Sequence, residues 1–505
     1  MKTTRRTLLL ALSAGLLALP AQTLPAAGIP EHPDKLTFPA FTYVPPTAKP
    51  YRAALKSGPV AYVAEDRELP LVTVVVTLRG GTYLDPAGKE GLSDLAGYLL
   101  ARGGTAKRTA EELEERLAFL AANLNSSVGE DRATVSLNLL SKDLDEGLAI
   151  LREVLTEPRF QEDKLTLRKD QLANDMKSRN DDTADIERRE RGFLAWGEGF
   201  YVNRYPTKAS LEAVKRDDLI AYHRKWFDPR NVIVSASGDF KRAEMERKLD
   251  ALFAKWPFKG EAAPGVPKPT HAMAAGLYVV DKDVNQGRIS VMLPALSRTD
   301  PDYVPATLMN DVLGGGGFTS RITNRVRSDE GLAYSAGSRM AGGVWYPGIL
   351  SAGFQSKSRT CGYATQIVIE EMKKMRDGEV TAEELTTAKR SFVDTLPRRF
   401  ATKAATMGVL VDEEFTGRYK SDPGFYASYA ANVEKVTAAD VQRVAKRLLA
   451  TEKVTVLAVG KKADLLNPDP KHPVDFTALS GGRLVDVPLR DPFTMKPTAA
   501  TNVAK

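Results

Sequence analysis

Between residues 91 and 100 the apolar positions recur with helical spacing. Leu92, Leu95, Ala96, Leu99 and Leu100 form one stripe, and Asp94 and Tyr98 share a flank four residues apart. Elsewhere the pattern repeats itself. A strand-like alternation runs into an Asp-Pro turn and a helix in LVTVVVTLRGGTYLDPAG, with Asp85-Pro86, and again in RISVMLPALSRTDPDY, with Asp300-Pro301. Charged amphipathic helices open near Phe160 and Thr381, and Leu165, Thr166 and Lys169 match Leu385, Thr386 and Lys389 at one constant offset. Residues 218–240 and 440–462 repeat a helix–turn–strand unit ending at Gly238 and Gly460. An internal duplication organises the chain. Helix starts are marked by Thr109-Ala110-Glu111-Glu112 and Thr381-Ala382-Glu383-Glu384, which have the spacing of a reciprocal cap between a Thr hydroxyl and a Glu carboxylate.

These patterns predict an α+β fold of two homologous domains, each a mostly antiparallel sheet with helices on one face. The domains span 59–258 and 276–465, joined by a Pro-, Gly- and Ala-rich linker at 259–275, with an N-terminal extension at 28–58 and a peripheral tail at 466–505. Residues 1–27 read as a cleavable signal peptide: Lys2, Arg5 and Arg6 precede a short apolar run and small residues. Thr4-Arg5-Arg6-Thr7-Leu8-Leu9 loosely fits a twin-arginine signal. The expectation is export to the periplasm, with no membrane span.

Composition narrows the chemistry. A chain of 505 residues with 43% hydrophobic and 27% charged residues is ordinary globular material, large enough for two cores. Its formal charge of +7 is spread among interspersed acids, with no basic patch alternating with aromatics, which argues against nucleic acid as a partner. The single cysteine, Cys361, forms no internal disulfide and reads as a small buried residue. Residues 314–317, GGGG, lack the Lys-Ser/Thr of a phosphate loop, and no G-x-S-x-G elbow is present. Four histidines, 32, 223, 271 and 472, lie too far apart to share a helix face, and His223 reads as a packed or capping residue.

GKEGLSDLAGYLL after GGTYLDPAG, AYHRKWFDPRNVIVSASGDF, and GGGFTSRITNRVRSDEGLAYSAGS together resemble the insulinase/pitrilysin (M16) family of zinc peptidases. Catalytic members carry H-x-x-E-H where this chain has Asp94-Leu95-Ala96-Gly97-Tyr98, and their third ligand, a Glu, falls at Asp175. The resemblance therefore implies a degenerate metal site at Asp94, Gly97, Tyr98 and Asp175. No metal or cofactor is expected on this chain, and zinc is expected in a partner. The positions themselves read as a hydrogen-bonded Asp–Tyr pair rather than an oxygen-liganded cation site.

Active relatives supply an Arg and a Tyr seven positions apart from the opposite domain, and the matching residues here are Arg327 and Tyr334. The resemblance implies that Arg327 grips a substrate carbonyl and Tyr334 donates to the developing oxyanion. The alternative is that Arg327 pairs with Asp329 or Glu330 and Tyr334 packs as a strand residue. The implied function is a non-catalytic subunit of a heterodimeric zinc endopeptidase, acting in trans with an H-x-x-E-H chain on an extended peptide. The competing reading is an inert peptide-binding or assembly scaffold.

Overall fold

The strands fall into two classes by pattern. VIVSASG at 232–238 and TVLAVG at 455–460 are buried without interruption, whereas NLNSSV at 123–128 alternates buried with exposed. A strand buried on both faces has packing above and below, and an alternating strand has it on one side only. The computed structural model, which describes residues 32, 35, 36 and 42–498, shows why both classes occur. Residues 1–27, taken as a signal peptide, lie outside the described residues.

The first sheet is ordered β1 (Arg52–Ala54), β2 (Val60–Glu65), β6 (Val232–Gly238), β3 (Leu71–Arg79), β5 (Arg132–Leu140) and β4 (Asn123–Val128). The second is ordered β12 (Leu484–Asp486), β7 (Gly276–Asp281), β11 (Thr455–Gly460), β8 (Gln286–Pro294), β10 (Ile349–Lys357) and β9 (Ala336–Met340). The duplication extends to strand direction. In each sheet one central pair is parallel, β2 with β6 and β7 with β11, and the next three pairings are antiparallel. Only the outer strands differ, β1 lying antiparallel to β2 and β12 parallel to β7.

One face of each sheet carries the helices of its own half. Val72, Val74 and Val76 of β3 and Leu137 of β5 pack against α1 (Leu92–Leu100) and α3 (Leu144–Thr156). Between these helices lies α2 (Ala110–Phe119), whose cap is formed as expected: Thr109 Oγ1 accepts from Glu112 N at 3.1 Å and Thr109 N donates to Glu112 Oε2 at 2.7 Å. After them come α4 (Glu162–Lys177), α5 (Thr183–Trp196), α6 (Arg216–Trp226) and α7 (Arg242–Phe253). In the second half α8 (Tyr303–Asn310), α9 (Cys361–Asp377), α10 (Ala382–Val393), α11 (Lys403–Phe415) and α12 (Ala438–Leu448) follow the same plan. Cys361 is fully buried, and burial pushes its thiol up to about 12, leaving no thiolate at neutral pH.

The opposite faces are not bare. Met407, Leu410, Val411 and Phe415 of α11 lie on Tyr62, Ala64 and Ile233 of the first sheet, while Ile186 of α5 lies on Val280, Met292, Leu457 and Val459 of the second. Each half thus lends a helix to the other's sheet. Cations of the first half hold the end of α11. Arg52 Nε and the Tyr62 hydroxyl both donate to Glu414 Oε2 at 2.9 Å, and Arg79 donates to the carbonyls of Phe415 and Glu414 at 2.5 and 3.2 Å. A guanidinium on the last carbonyls of a helix meets the negative end of its dipole.

Two expectations about the chain ends change. β1 lies within the segment read as an extension, and the tail supplies β12 together with buried Arg490, whose guanidinium bonds Glu190 at 3.2 Å and Glu198 at 2.5 Å. The described residues from Pro45 onward form one compact unit, distinct from the few before them.

Because the helices are exchanged, Phe415→Ala in one half and Ile186→Ala in the other should shift the same single unfolding transition, each by about 2–5 kcal/mol. Two separable transitions in calorimetry would contradict this. A second expectation concerns His223 on α6. Its Nε2–H donates to Leu155 O at 2.9 Å among Phe160, Phe227 and Phe258, and burial pushes its pKa down to about 4. Only the unfolded chain takes up this proton near pH 6.5, so the stability His223 confers above that pH is lost as pH falls towards 4. Denaturant titrations should show a loss of about 2 kcal/mol between pH 7 and 5 that His223→Gln lacks.

Candidate functional site

The helix at the degenerate metal site is fixed at both ends. The carboxylate of Asp85, from the first Asp-Pro turn, accepts from the backbone N–H of Gly91 at 3.0 Å and of Ser93 at 2.9 Å, capping α1 from a distance. Burial pushes the Asp85 pKa up to about 6. At the other end Ser126 of β4 donates to Gly97 O at 2.5 Å and accepts from Ala101 N at 3.0 Å. The helix backbone is thereby pressed onto the sheet edge. A β-carbon at Gly97 would meet Val128 N and Val128 Cγ2 at 2.7 Å, closer than such atoms approach. Gly97 is therefore more than a lost base: the packing of α1 on β4 is built around its missing side chain.

Asp94 and Tyr98 flank that helix as the spacing predicts, but no hydrogen bond joins them among the described residues. Arg168 of α4 stands with both instead, its Nη2 3.8 Å from Asp94 Oδ2 and its guanidinium 4.1 Å from the Tyr98 ring centre. Arg102 lies 4.7 Å from the same ring centre. The expected Asp–Tyr pair is replaced because a guanidinium satisfies a carboxylate and an aromatic face together, which a phenol hydroxyl cannot do. Asp175, two turns beyond Arg168 on α4, is exposed. Among the described residues no three His, Cys, Asp or Glu side chains converge to hold a metal. The donors at these positions, a carboxylate and a phenol that already face Arg168, and the separate, exposed carboxylate of Asp175, do not fit zinc, which takes nitrogen and sulfur ligands readily.

The Arg327–Tyr334 pair lies elsewhere. Residues 324–329 form a widened helical turn in which Glu330 N donates to Arg325 O at 3.2 Å, five residues back. Gly314, in the glycine run, passes so close to β9 that a β-carbon there would meet Ser338 N at 2.4 Å. The glycines thus bring a turn against a strand. From the widened turn the Arg327 guanidinium reaches 4.4 Å from the Phe318 ring centre and 4.8 Å from that of Tyr334. Neither alternative expected for these residues is found: the ion pair to Asp329 is made by Arg325, and Tyr334 is 86% exposed.

Tyr334 opens onto a cavity of about 930 Å³. Its floor is the part of the second sheet's outer face that α5 leaves uncovered, including Arg288, Ser351, Gln355 and Arg339, and its wall is α5 itself, through Glu187, Arg191 and Trp196. Both halves therefore line it. Tyr98 and Arg168 line a different groove, of about 550 Å³, that shares no residue with the first. Sequence reasoning missed Arg168 and the floor cations. The latter were signalled by polar residues at alternate positions of residues 286–294 and 349–357, a face that does not belong to the apolar core.

Comparison with known proteins agrees with this architecture. The pattern for insulinase (peptidase family M16) matches residues 61–191, and that for the peptidase M16 inactive domain matches residues 213–392. The chain is 24% identical to an uncharacterized zinc protease of Streptomyces coelicolor over 47% of its own length and 53% of the relative's. It is 25% identical to the non-peptidase homolog YmxG of Helicobacter pylori over 71% of its length and 82% of the relative's. Among solved structures, the M16 inactive domain from Pseudomonas fluorescens superposes with a TM-score of 0.72 at 22% identity, covering 81% of this chain and 97% of that one.

Restoring the motif should not restore a metal centre. The variant Asp94→His, Gly97→Glu, Tyr98→His, Asp175→Glu is expected to purify without stoichiometric zinc and to lose about 1–3 kcal/mol of stability through the Gly97 contact. Elemental analysis and thermal unfolding check both points, and bound zinc at unchanged stability would refute the packing argument.

Proposed function

The chain belongs to the M16 family of insulinase-type peptidases, and on that premise we propose that it is the non-catalytic subunit of a two-chain zinc endopeptidase exported to the periplasm. Its partner is an H-x-x-E-H chain of the same family, which brings the metal and the general base. The peptide lies extended beside β9, the outermost strand of its sheet among the described residues. Main-chain hydrogen bonds there give affinity with little demand on sequence.

The observation that carries this reading is the exposure of Tyr334 at the cavity, with Arg327 stacked against its ring. A tyrosine serving only the core would be buried; this one is 86% exposed and lines the cavity. Arg327, permanently charged and free of any ion pair among the described residues, is available to a substrate carbonyl. The neutral phenol donates to the oxyanion as the carbonyl becomes tetrahedral, a contact that strengthens as charge develops. The YmxG relative, called a non-peptidase homolog, is consistent with a chain that does not cleave alone. Lys2, Arg5 and Arg6 ahead of an apolar run support the periplasmic location.

Co-expression with the H-x-x-E-H partner tests the proposal. The complex should cleave an unstructured peptide that neither chain cleaves alone. Tyr334→Phe should leave the complex intact by size-exclusion chromatography while lowering kcat/KM by roughly a hundred- to thousand-fold, about 3–4 kcal/mol. An unchanged rate would instead identify the chain as a scaffold.

A further inference from the structure

The floor of the cavity carries more positive charge than the structure neutralises. Arg191, Arg288, Arg339 and Lys357 line it against a single carboxylate, Glu187. That carboxylate is committed, because Glu187 Oε1 accepts from Arg191 Nε at 2.8 Å and from Ser290 Oγ at 2.6 Å. Three cations remain. Among the described residues Arg288 is tied only to the neutral Gln355, through Nη2 to Oε1 at 3.0 Å, and its buried Nε has no acceptor. Arg339 and Lys357 are exposed and enter no ion pair among the described residues.

Register shows how these charges are spaced. Arg288 of β8 stands opposite Gln355 of β10, and Arg339 of β9 stands opposite Ser351 of β10. Gln355 and Ser351 are four residues apart, so the two guanidinium stems start about 13 Å apart along the strands. Lys357 continues the same face of β10, two residues beyond Gln355. A row of unneutralised cations thus crosses the floor beside β9, the outermost strand of the sheet.

We propose that this cavity selects acidic peptides, whose carboxylate side chains are received by Arg288, Arg339 and Lys357. The inference rests on the peptide-binding reading above and names the substrate class for it. A strand added to β9 presents alternate side chains to the floor, so the preferred ligand has Glu or Asp at every second position. An incoming carboxylate gives the Arg288 guanidinium, whose partner among the described residues is the neutral Gln355, the counter-charge it lacks. A basic peptide meets like charge in a partly enclosed space, where water screens it poorly.

The test is direct binding, which needs no catalysis. Three fluorescent peptides of the same unstructured sequence, with Glu, Gln or Lys at alternate positions, are titrated with the full chain by anisotropy. The Glu peptide should bind at least about tenfold more tightly than the Gln peptide at about 50 mM salt, with the Lys peptide weakest. The preference should shrink severalfold at about 500 mM salt. The exposed double variant Arg339→Glu, Lys357→Glu, checked for native circular dichroism and melting, should favour the Lys peptide. Equal affinities for all three peptides, or an unaltered preference in the folded variant, would overturn the selectivity and leave the peptide-binding reading standing. Failure to bind any peptide would overturn both. Dextran sulfate competing as well as the Glu peptide would make the cavity a general polyanion site and overturn the assignment to peptides.

Discussion

The exchange of helices between the two halves is the constraint from which the rest of the architecture follows. Each sheet is apolar on both faces; its own helices cover one, and a helix of the other half lies on the opposite one. Tyr62 and Ile233 would be exposed without α11, as would Val280, Met292 and Leu457 without α5. The exchange also sets the limits of the cavity. Because α5 lies chiefly over β11 and β8, part of the surface of β10 and β9 beyond it lines the open cavity. Tyr334 and the unneutralised cations therefore occupy a space defined by where a borrowed helix ends.

The helix that carries Asp94, Gly97 and Tyr98 shows how packing fixes the residues at a position. These positions carry neither histidine nor glutamate, and their surroundings are closely packed. β4 approaches the α1 backbone at Gly97, and a guanidinium from α4 stands beside Asp94 and Tyr98. A half-buried carboxylate–guanidinium contact at 3.8 Å adds little stability, about 0–1 kcal/mol, so the close packing of helix on strand is the stronger constraint on these positions.

Much of this was legible in the chain, where local rules decide the outcome. The stripe from Leu92 to Leu100 is buried, the Thr109 and Thr381 caps form, and the repeated helix–turn–strand units become matching central strands. Periodicity gives the face a helix buries but not the surface that receives it. Met407, Leu410 and Phe415 announce an apolar stripe, and nothing in their spacing says that it belongs to the other half. Arg168 was hidden for the opposite reason: in a helix as charged as 162–177, one more cation reads as solvated surface. The tail misled because β12, with three residues, is too short to show alternation, and Arg490 finds its carboxylates some 300 residues away.

The borrowed helices also determine where a long polymer can enter. Parting the two halves of this chain would strip α5 and α11 from their sheets and lay bare fully buried side chains such as Ile186 and Phe415. A hinge inside this chain is therefore a poor gate. On the two-chain reading proposed above, a jaw that opens for an incoming strand would have its seam between the two chains.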